Sequence, residues 1–265
     1  MSEGTPLLGV ADLSVRFGGV HALDSVTLDF SGGEICGLIG PNGAGKTTLL
    51  DVITGIRPPS SGRVTFDGVD ITGLSVTARA RRGLARTFQR QQLFGWLSVE
   101  DNVMTALEWR GGGGGLAADL LRLPTRARRE SARRARVAEV LGLCGIADLA
   151  RASAAGLPLG KARMVELARA VIDAPRVLLL DEPTSGLEPQ EVESMGDTIR
   201  HVRSETGCAV VLIEHDVGFV MQLSDRIVAL ELGSVLAQGT PEEVRDDEAV
   251  VDAYFGTARR GDEAD

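Results

Sequence analysis

Gly40-Pro41-Asn42-Gly43-Ala44-Gly45-Lys46-Thr47-Thr48 fits the pattern G-x-x-x-x-G-K-[ST] and decides how the rest of the chain is read. A polyphosphate has to be wrapped by hydrogen-bond donors, and glycines let backbone N–H groups come close and point inward. Lys46 is placed to reach the β- and γ-phosphates, and Thr47 to offer its hydroxyl to Mg²⁺. The flanks agree with a phosphate-binding loop. Ile35-Cys36-Gly37-Leu38-Ile39 reads as a short buried strand before it, and Thr47 to Ile53 as a helix after it, whose N-terminus favours anions.

Further strand-like runs are Leu7 to Phe17, Val26 to Phe30, Val64 to Phe66, Val177 to Leu180, Val210 to Ile213 and Ile227 to Leu230. Val177-Leu178-Leu179-Leu180 and Val210-Val211-Leu212-Ile213 are unbroken apolar runs, as expected for central strands covered on both faces. Helical patterns alternate with them at Glu166 to Asp173 and Glu191 to Ser204, which predicts an α/β core with right-handed crossovers. From about Glu100 to Ile172 the pattern is helical without a convincing strand. Val99 to Trp109, with Ser98 as N-cap, and Arg126 to Leu143 are the helices expected there; the five glycines Gly111 to Gly115 separate them as a connection. A helical subdomain at about 91–172 therefore interrupts an α/β core at about 1–90 and 173–256, and the polar residues 257–265 are expected to be disordered.

The run Val177 to Leu180 ends in Asp181-Glu182. That places two carboxylates at the C-terminal edge of a buried strand, where ligands bind in open α/β sheets. Asp181 suits Mg²⁺, a hard cation that prefers oxygen, and Glu182 is then available to orient or deprotonate an attacking water. Val210 to Ile213 is followed in the same way by Glu214-His215-Asp216. The His215 imidazole could donate to a γ-phosphate, or could serve as a cap or a satisfied core group.

Composition bounds the rest. The 265 residues are 43% hydrophobic and 25% charged, enough for a real core, and the net charge of −9 argues against a nucleic-acid binder driven by bulk charge. Cys36, Cys144 and Cys208 are far apart and form no C-x-x-C, so they are expected to be reduced and structural in a cytosolic setting. The N-terminus shows no signal-peptide pattern and no apolar window is long enough to span a bilayer.

Taken in order, the P-loop, Thr87-Phe88-Gln89, Leu157-Pro158-Leu159-Gly160-Lys161, Asp181-Glu182, Ser185-Gly186-Leu187-Glu188 and His215 resemble the nucleotide-binding domain of ABC transporters, over about residues 7 to 255. The resemblance implies a P-loop NTPase (RecA-like) core that hydrolyses ATP, an N-terminal antiparallel β subdomain and an inserted α-helical subdomain. It implies a head-to-tail dimer with two ATP molecules sandwiched between protomers. By the same resemblance Gly40 to Thr48 bind ATP with Mg²⁺, Phe17 stacks on adenine, Thr47, Gln89 and Asp181 serve Mg²⁺, and Lys46, Glu182, His215 and Gln89 are catalytic. Pro158, Leu159, Gly160, Lys161 and Glu188 would reach the partner's nucleotide in trans.

The signature loop departs from the common L-S-G-G-Q, because Pro158 lacks the serine hydroxyl and an N–H, while Gly160 keeps its N–H at a helix start. Glu188 stands where aspartate is more usual. The L-P-x-G form, together with Arg16-Phe17-Gly18-Gly19-Val20-His21-Ala22-Leu23, Leu84-Ala85-Arg86-Thr87-Phe88-Gln89, Leu93 to Val99 and Gln238 to Val244, resembles the ATP-binding subunits of branched-chain amino acid importers. In that branch an aromatic is expected at Leu159 and a glutamine at Lys161. The resemblance implies two multispanning permeases and, through them, a substrate-binding protein as partners, with the subunit peripheral on the cytoplasmic face of the membrane. No nucleic acid is expected. Arg90 to Trp96 would lie where a permease helix docks, with Phe94 and Trp96 as apolar contacts. Arg122 to Arg136 reads either as a solvated helix face or as a membrane-surface patch. An exporter or lipid-transport ATPase, and more remotely a soluble ABC ATPase of DNA repair or ribosomes, are the alternatives.

Overall fold

A computed structural model describes residues 6–89, 93–108 and 124–253, with the side chains of 108 and 124–129 left out. Gly111 to Gly115, Arg90 to Gln92, Trp109, Arg122, the side chains of Arg126, Arg128 and Arg129, and the tail 257–265 lie outside the described residues. Packing divides the chain into two compact units. The first comprises residues 1–86, 176–182 and 207–265, and the second comprises 87–175 and 183–206. The second unit thus includes 183–206, which the expected interruption at 91–172 does not.

The first unit holds two sheets. Strands β1 (Leu8–Phe17), β2 (Val20–Phe30), β4 (Ser61–Phe66) and β5 (Val69–Asp70) form an antiparallel sheet in the order β2-β1-β4-β5. Strands β3 (Ile35–Ile39), β6 (Leu84–Arg86), β7 (Val177–Asp181), β8 (Ala209–Ile213), β9 (Arg226–Glu231) and β10 (Ser234–Gly239) form a sheet in the order β10-β9-β3-β8-β7-β6. It is parallel from β9 to β6, and β10 closes it antiparallel at the edge. Every residue of β3, β7 and β8 is buried, which is what their unbroken apolar runs require. Helix α1 (Lys46–Thr54) lies in one apolar cluster with Leu13, Leu23, Phe30 and Phe66 of the antiparallel sheet and Leu38, Leu179 and Val211 of the other.

Three differences from the sequence reading have local causes. Strand β2 starts at Val20 rather than Val26, because the exposed His21, Asp24 and Ser25 interrupt the apolar alternation, while the ladder continues past them through two register shifts to pair Phe17 with Val20. Strands β5, β6 and β10 were not expected. Three of six residues in β10 are half-buried apolar, and β6 is only three residues long, so neither carries a strong period. Helix α5 (Leu159–Val171) starts well before Glu166 and ends before Asp173, because Pro158 in extended geometry (φ −55°, ψ 153°) can open a helix although it cannot sit inside one.

Buried Arg79 fixes the far end of α1. It lies just inside α2 (Val76–Ala80) and is 1% exposed. Its Nη1 donates to the carbonyls of Val52 (2.6 Å) and Ile53 (2.8 Å), its Nη2 to Thr72 (2.6 Å) and its Nε to Leu74 (3.1 Å). The last carbonyls of a helix lack intrahelical donors and carry the negative end of its dipole, so a guanidinium there satisfies both needs.

The second unit is helical: α3 (Val99–Glu108), α4 (Pro124–Leu143), α5 and α6 (Pro189–Thr206). Ser98 caps α3 as expected, its Oγ accepting from Asp101 N at 3.1 Å. Fully buried Asn102 clamps the preceding turn, its Oδ1 accepting from Phe94 N (2.9 Å) and its Nδ2 donating to the carbonyls of Phe94 and Ser98 (3.0 Å each). Arg134 pairs with Glu130 at 3.0 Å and Glu100 at 3.6 Å, and Arg136 with Glu139 at 2.7 Å, so these two arginines of the basic stretch meet acids on the unit's own surface. The short helices α7 (Val217–Leu223) and α8 (Pro241–Arg245) belong to the first unit.

Candidate functional site: a phosphate cradle beside a paired acid cluster

The cradle begins where β3 ends. Gly40 to Gly45 turn the chain into α1, and Gly45 sits at φ 103° as the residue before the helix. A side chain there would collide with the carbonyl of Ala22, so both the backbone angle and the space demand glycine. The loop is braced from behind by the β9–β10 turn: Gly233 N donates to the carbonyl of Ala44 (3.1 Å) and Gly233 O accepts from Asp24 N (2.8 Å). Pro41, Asn42, Gly43 and Thr47 stay exposed, whereas Lys46 is 7% exposed. Its ammonium donates to the carbonyls of Gly40 and Pro41, the latter at 3.0 Å. Burial pulls the Lys46 pKa down, opposed by the negative charges of Glu182 and Asp181. The lysine therefore sits within electrostatic reach of both acids at the end of β7.

Those acids are differently held. Asp181, 5% exposed, accepts at Oδ2 from Arg86 Nη2 at 2.8 Å, and Arg86 Nη1 donates to Asp51 Oδ1 of α1 at 2.7 Å. Glu182 has a left-handed backbone (φ 50°), a conformation that costs an L-residue about 1 kcal/mol and clusters at functional sites. Its N–H donates to the carbonyl of Ile213 at 2.9 Å, which ties the bend to β8. His215 Nε2 lies 2.8 Å from Glu182 Oε1. The imidazole is half exposed and the carboxylate 12% exposed, so the pair opens to solvent on the histidine side. A carboxylate held by an imidazole can orient a water or take up its proton.

Phe17, at the end of β1, is 43% exposed, and the Arg57 guanidinium lies 4.4 Å from its ring centroid. A cation on one face leaves the other for a planar ligand. All of these groups belong to the first unit.

The remaining expected site residues are in the second unit. Gln89 is exposed, and its backbone carbonyl accepts from Arg163 Nη2 at 3.1 Å. Pro158, Leu159 and Lys161 are exposed at the start of α5, and Gly160 is buried beside the Glu191 carboxylate. Glu191 Oε2 accepts from the N–H of exposed Glu188 at 3.1 Å. Three residues of consequence escaped the sequence reading. Arg57 and Asp51 gave no signal. Arg86 lay in the quoted segment Leu84 to Gln89, but nothing in one dimension could show that it faces two acids.

Against known proteins, the model for ABC transporters matches residues 23–185. This chain belongs to the ABC transporter ATP-binding family. The cassette also matches, at residues 234–259, the model for the branched-chain amino acid ATP-binding cassette transporter. It is 39% identical to the high-affinity branched-chain amino acid transport ATP-binding protein BraF of Pseudomonas aeruginosa, over 96% of this chain and 99% of that one. Identity to the lipopolysaccharide export system ATP-binding protein LptB of Escherichia coli is 35%, over 94% of this chain and 97% of that protein. Among solved structures, the ADP conformation of MJ1267, an ATP-binding cassette of an ABC transporter, is similar with a TM-score of 0.82 at 28% identity, covering 96% of this chain and all of that one. The cassette is thus an ATP-hydrolysing subunit of an ABC transporter, with the mixed α/β fold of that family. Among the described residues no helix is long and apolar enough to cross a membrane.

Proposed function

We propose that the chain powers the import of branched-chain or related hydrophobic amino acids, as an ATPase bound to two permeases on the cytoplasmic face of the membrane. The C-terminal match at 234–259 and the 39% identity to BraF support this reading over lipid export, for which identity falls to 35%. The observation that carries the catalytic part is the His215–Glu182 pair, 2.8 Å apart at the end of β7, within electrostatic reach of the cradle lysine. Gly40 to Thr48 hold the phosphates of ATP, and Phe17 offers its open face to adenine. Glu182 orients the attacking water and accepts its proton, and His215 fixes that carboxylate. Lys46 donates to the phosphate oxygens on which charge develops.

The oxygen donors Thr47 and Asp181 fit Mg²⁺, with Gln89 as the third residue assigned to it; bound there, the ion would neutralise charge on the β- and γ-phosphates. Pro158, Leu159, Gly160, Lys161 and Glu188 serve the nucleotide of a second ATPase, identical or similar, in a head-to-tail dimer. The exposure of Pro158, Leu159, Lys161 and Glu188 supports that role. Trp96 is 82% exposed and Phe94 37%, which suits a permease contact in the segment that follows Gln89 in the sequence. The domain reading is one nucleotide-binding domain with an inserted helical part. The test is Glu182→Gln: ATP binding persists while turnover falls by about 10²- to 10⁴-fold. Turnover like that of the wild type would exclude Glu182 as the base.

A further inference from the structure

Arg86 is placed to do more than fill space. It ends β6 and its side chain is 5% exposed, with one guanidinium nitrogen on Asp51 of the P-loop helix and another on Asp181 of β7. Three elements that border the cradle therefore meet at one side chain. A planar fork can serve two carboxylates from separate nitrogens, whereas an ammonium is a single point charge. One guanidinium against two carboxylates leaves the trio net negative, so it still attracts a cation.

We infer that Arg86 is the positioning residue of the magnesium acid: by gripping Asp181 Oδ2 and anchoring to Asp51, it fixes the carboxylate relative to the P-loop helix. This rests on the reading of Asp181 as the residue that serves Mg²⁺. Partners of this kind orient ligands that are otherwise free to rotate, and their loss costs metal affinity without touching the metal.

The experiment measures ATP affinity of the full-length chain with Mg²⁺ and with EDTA, on a Glu182→Gln background so that ATP stays intact. The ratio of the two affinities is the readout. Arg86→Met should lower the Mg²⁺ enhancement by about tenfold, while affinity in EDTA stays within about twofold. Arg86→Lys should recover part of the loss. In an Asp181→Asn background, Arg86→Met should change the ratio no further, because the path to the ion has been cut. An unchanged ratio in Arg86→Met, or an equal loss with and without Mg²⁺, overturns the inference. If Asp181→Asn itself keeps the wild-type ratio, the reading of Asp181 fails instead, a separate outcome. Should Arg86→Met not fold, Asp51→Asn removes only the anchor; it should give a smaller loss of the same sign, and an unchanged ratio there overturns the inference equally.

Discussion

The rim of the cradle and the exposed edge of the helical unit handle polar and apolar groups in opposite ways. At the cradle, Asp181, Glu182 and Lys46 are all buried residues, and each already has a partner within the unit. On the helical unit, Trp96 is 82% exposed, Leu159 is 41% exposed, and Pro158, Lys161 and Glu188 lie at the surface. Buried charges must be compensated inside the unit, or folding would carry their desolvation cost uncompensated. Residues that serve another molecule have to stay accessible until it arrives. The charges of the cradle are therefore settled inside their own unit, whereas these residues of the helical unit remain at the surface.

The comparison breaks most directly at Arg79. Arg79→Met strips the donors from four carbonyls around the end of α1, and should cost about 3 kcal/mol in urea unfolding. A loss below about 0.5 kcal/mol, the range of ordinary surface changes, would mean that the cradle's helix is not anchored there. Trp96→Ala should shift that same unfolding curve by less than about 0.5 kcal/mol yet weaken co-purification with the permeases; a large stability loss would place Trp96 in the unit's packing instead. A finer probe of the cradle is Arg57→Met, which removes the cation behind Phe17. It should weaken ATP binding by about threefold while leaving tripolyphosphate binding alone. Equal weakening for both ligands would tie Arg57 to the phosphates rather than to the base.

The smallest effect concerns thiols. Burial pushes Cys36 and Cys144 up to about 12 from an ordinary value of 9.0, so the folded state holds them protonated. Their contribution to stability is complete below pH 9.0 and is lost as the pH rises from there toward about 12. Alkylation at pH 8 should accordingly spare both in the native protein and modify both after unfolding, and rapid labelling of the native chain would contradict their burial.

Much of this was legible in one dimension. A glycine-rich loop between an apolar run and a helix fixes the cradle, because chain geometry over nine residues is a local matter. Asp181, Glu182 and His215 were legible for the same reason, each following a run too apolar to be anything but a covered strand. The short strands β5 and β6 were not, since two or three residues carry no period and owe their pairing to neighbours. The start of α5 was marked only by the signature loop, with Gly160 at a helix start, because the apolar period is clear only from Glu166 onward.

The sequence by itself determined which chemical groups exist and in what order: the lysine, the two acids, the histidine, and the departures at Pro158, Leu159, Lys161 and Glu188. Tertiary structure alone decided who meets whom. His215 and Glu182 are 33 residues apart in the chain and 2.8 Å apart in space, and Arg86 lies 95 residues from the acid it grips. Such pairings come from parallel strands set side by side by crossovers, and no local pattern encodes the strand order that makes them neighbours. The same holds for Arg79: an arginine looks alike in any helix until packing buries it against the end of another.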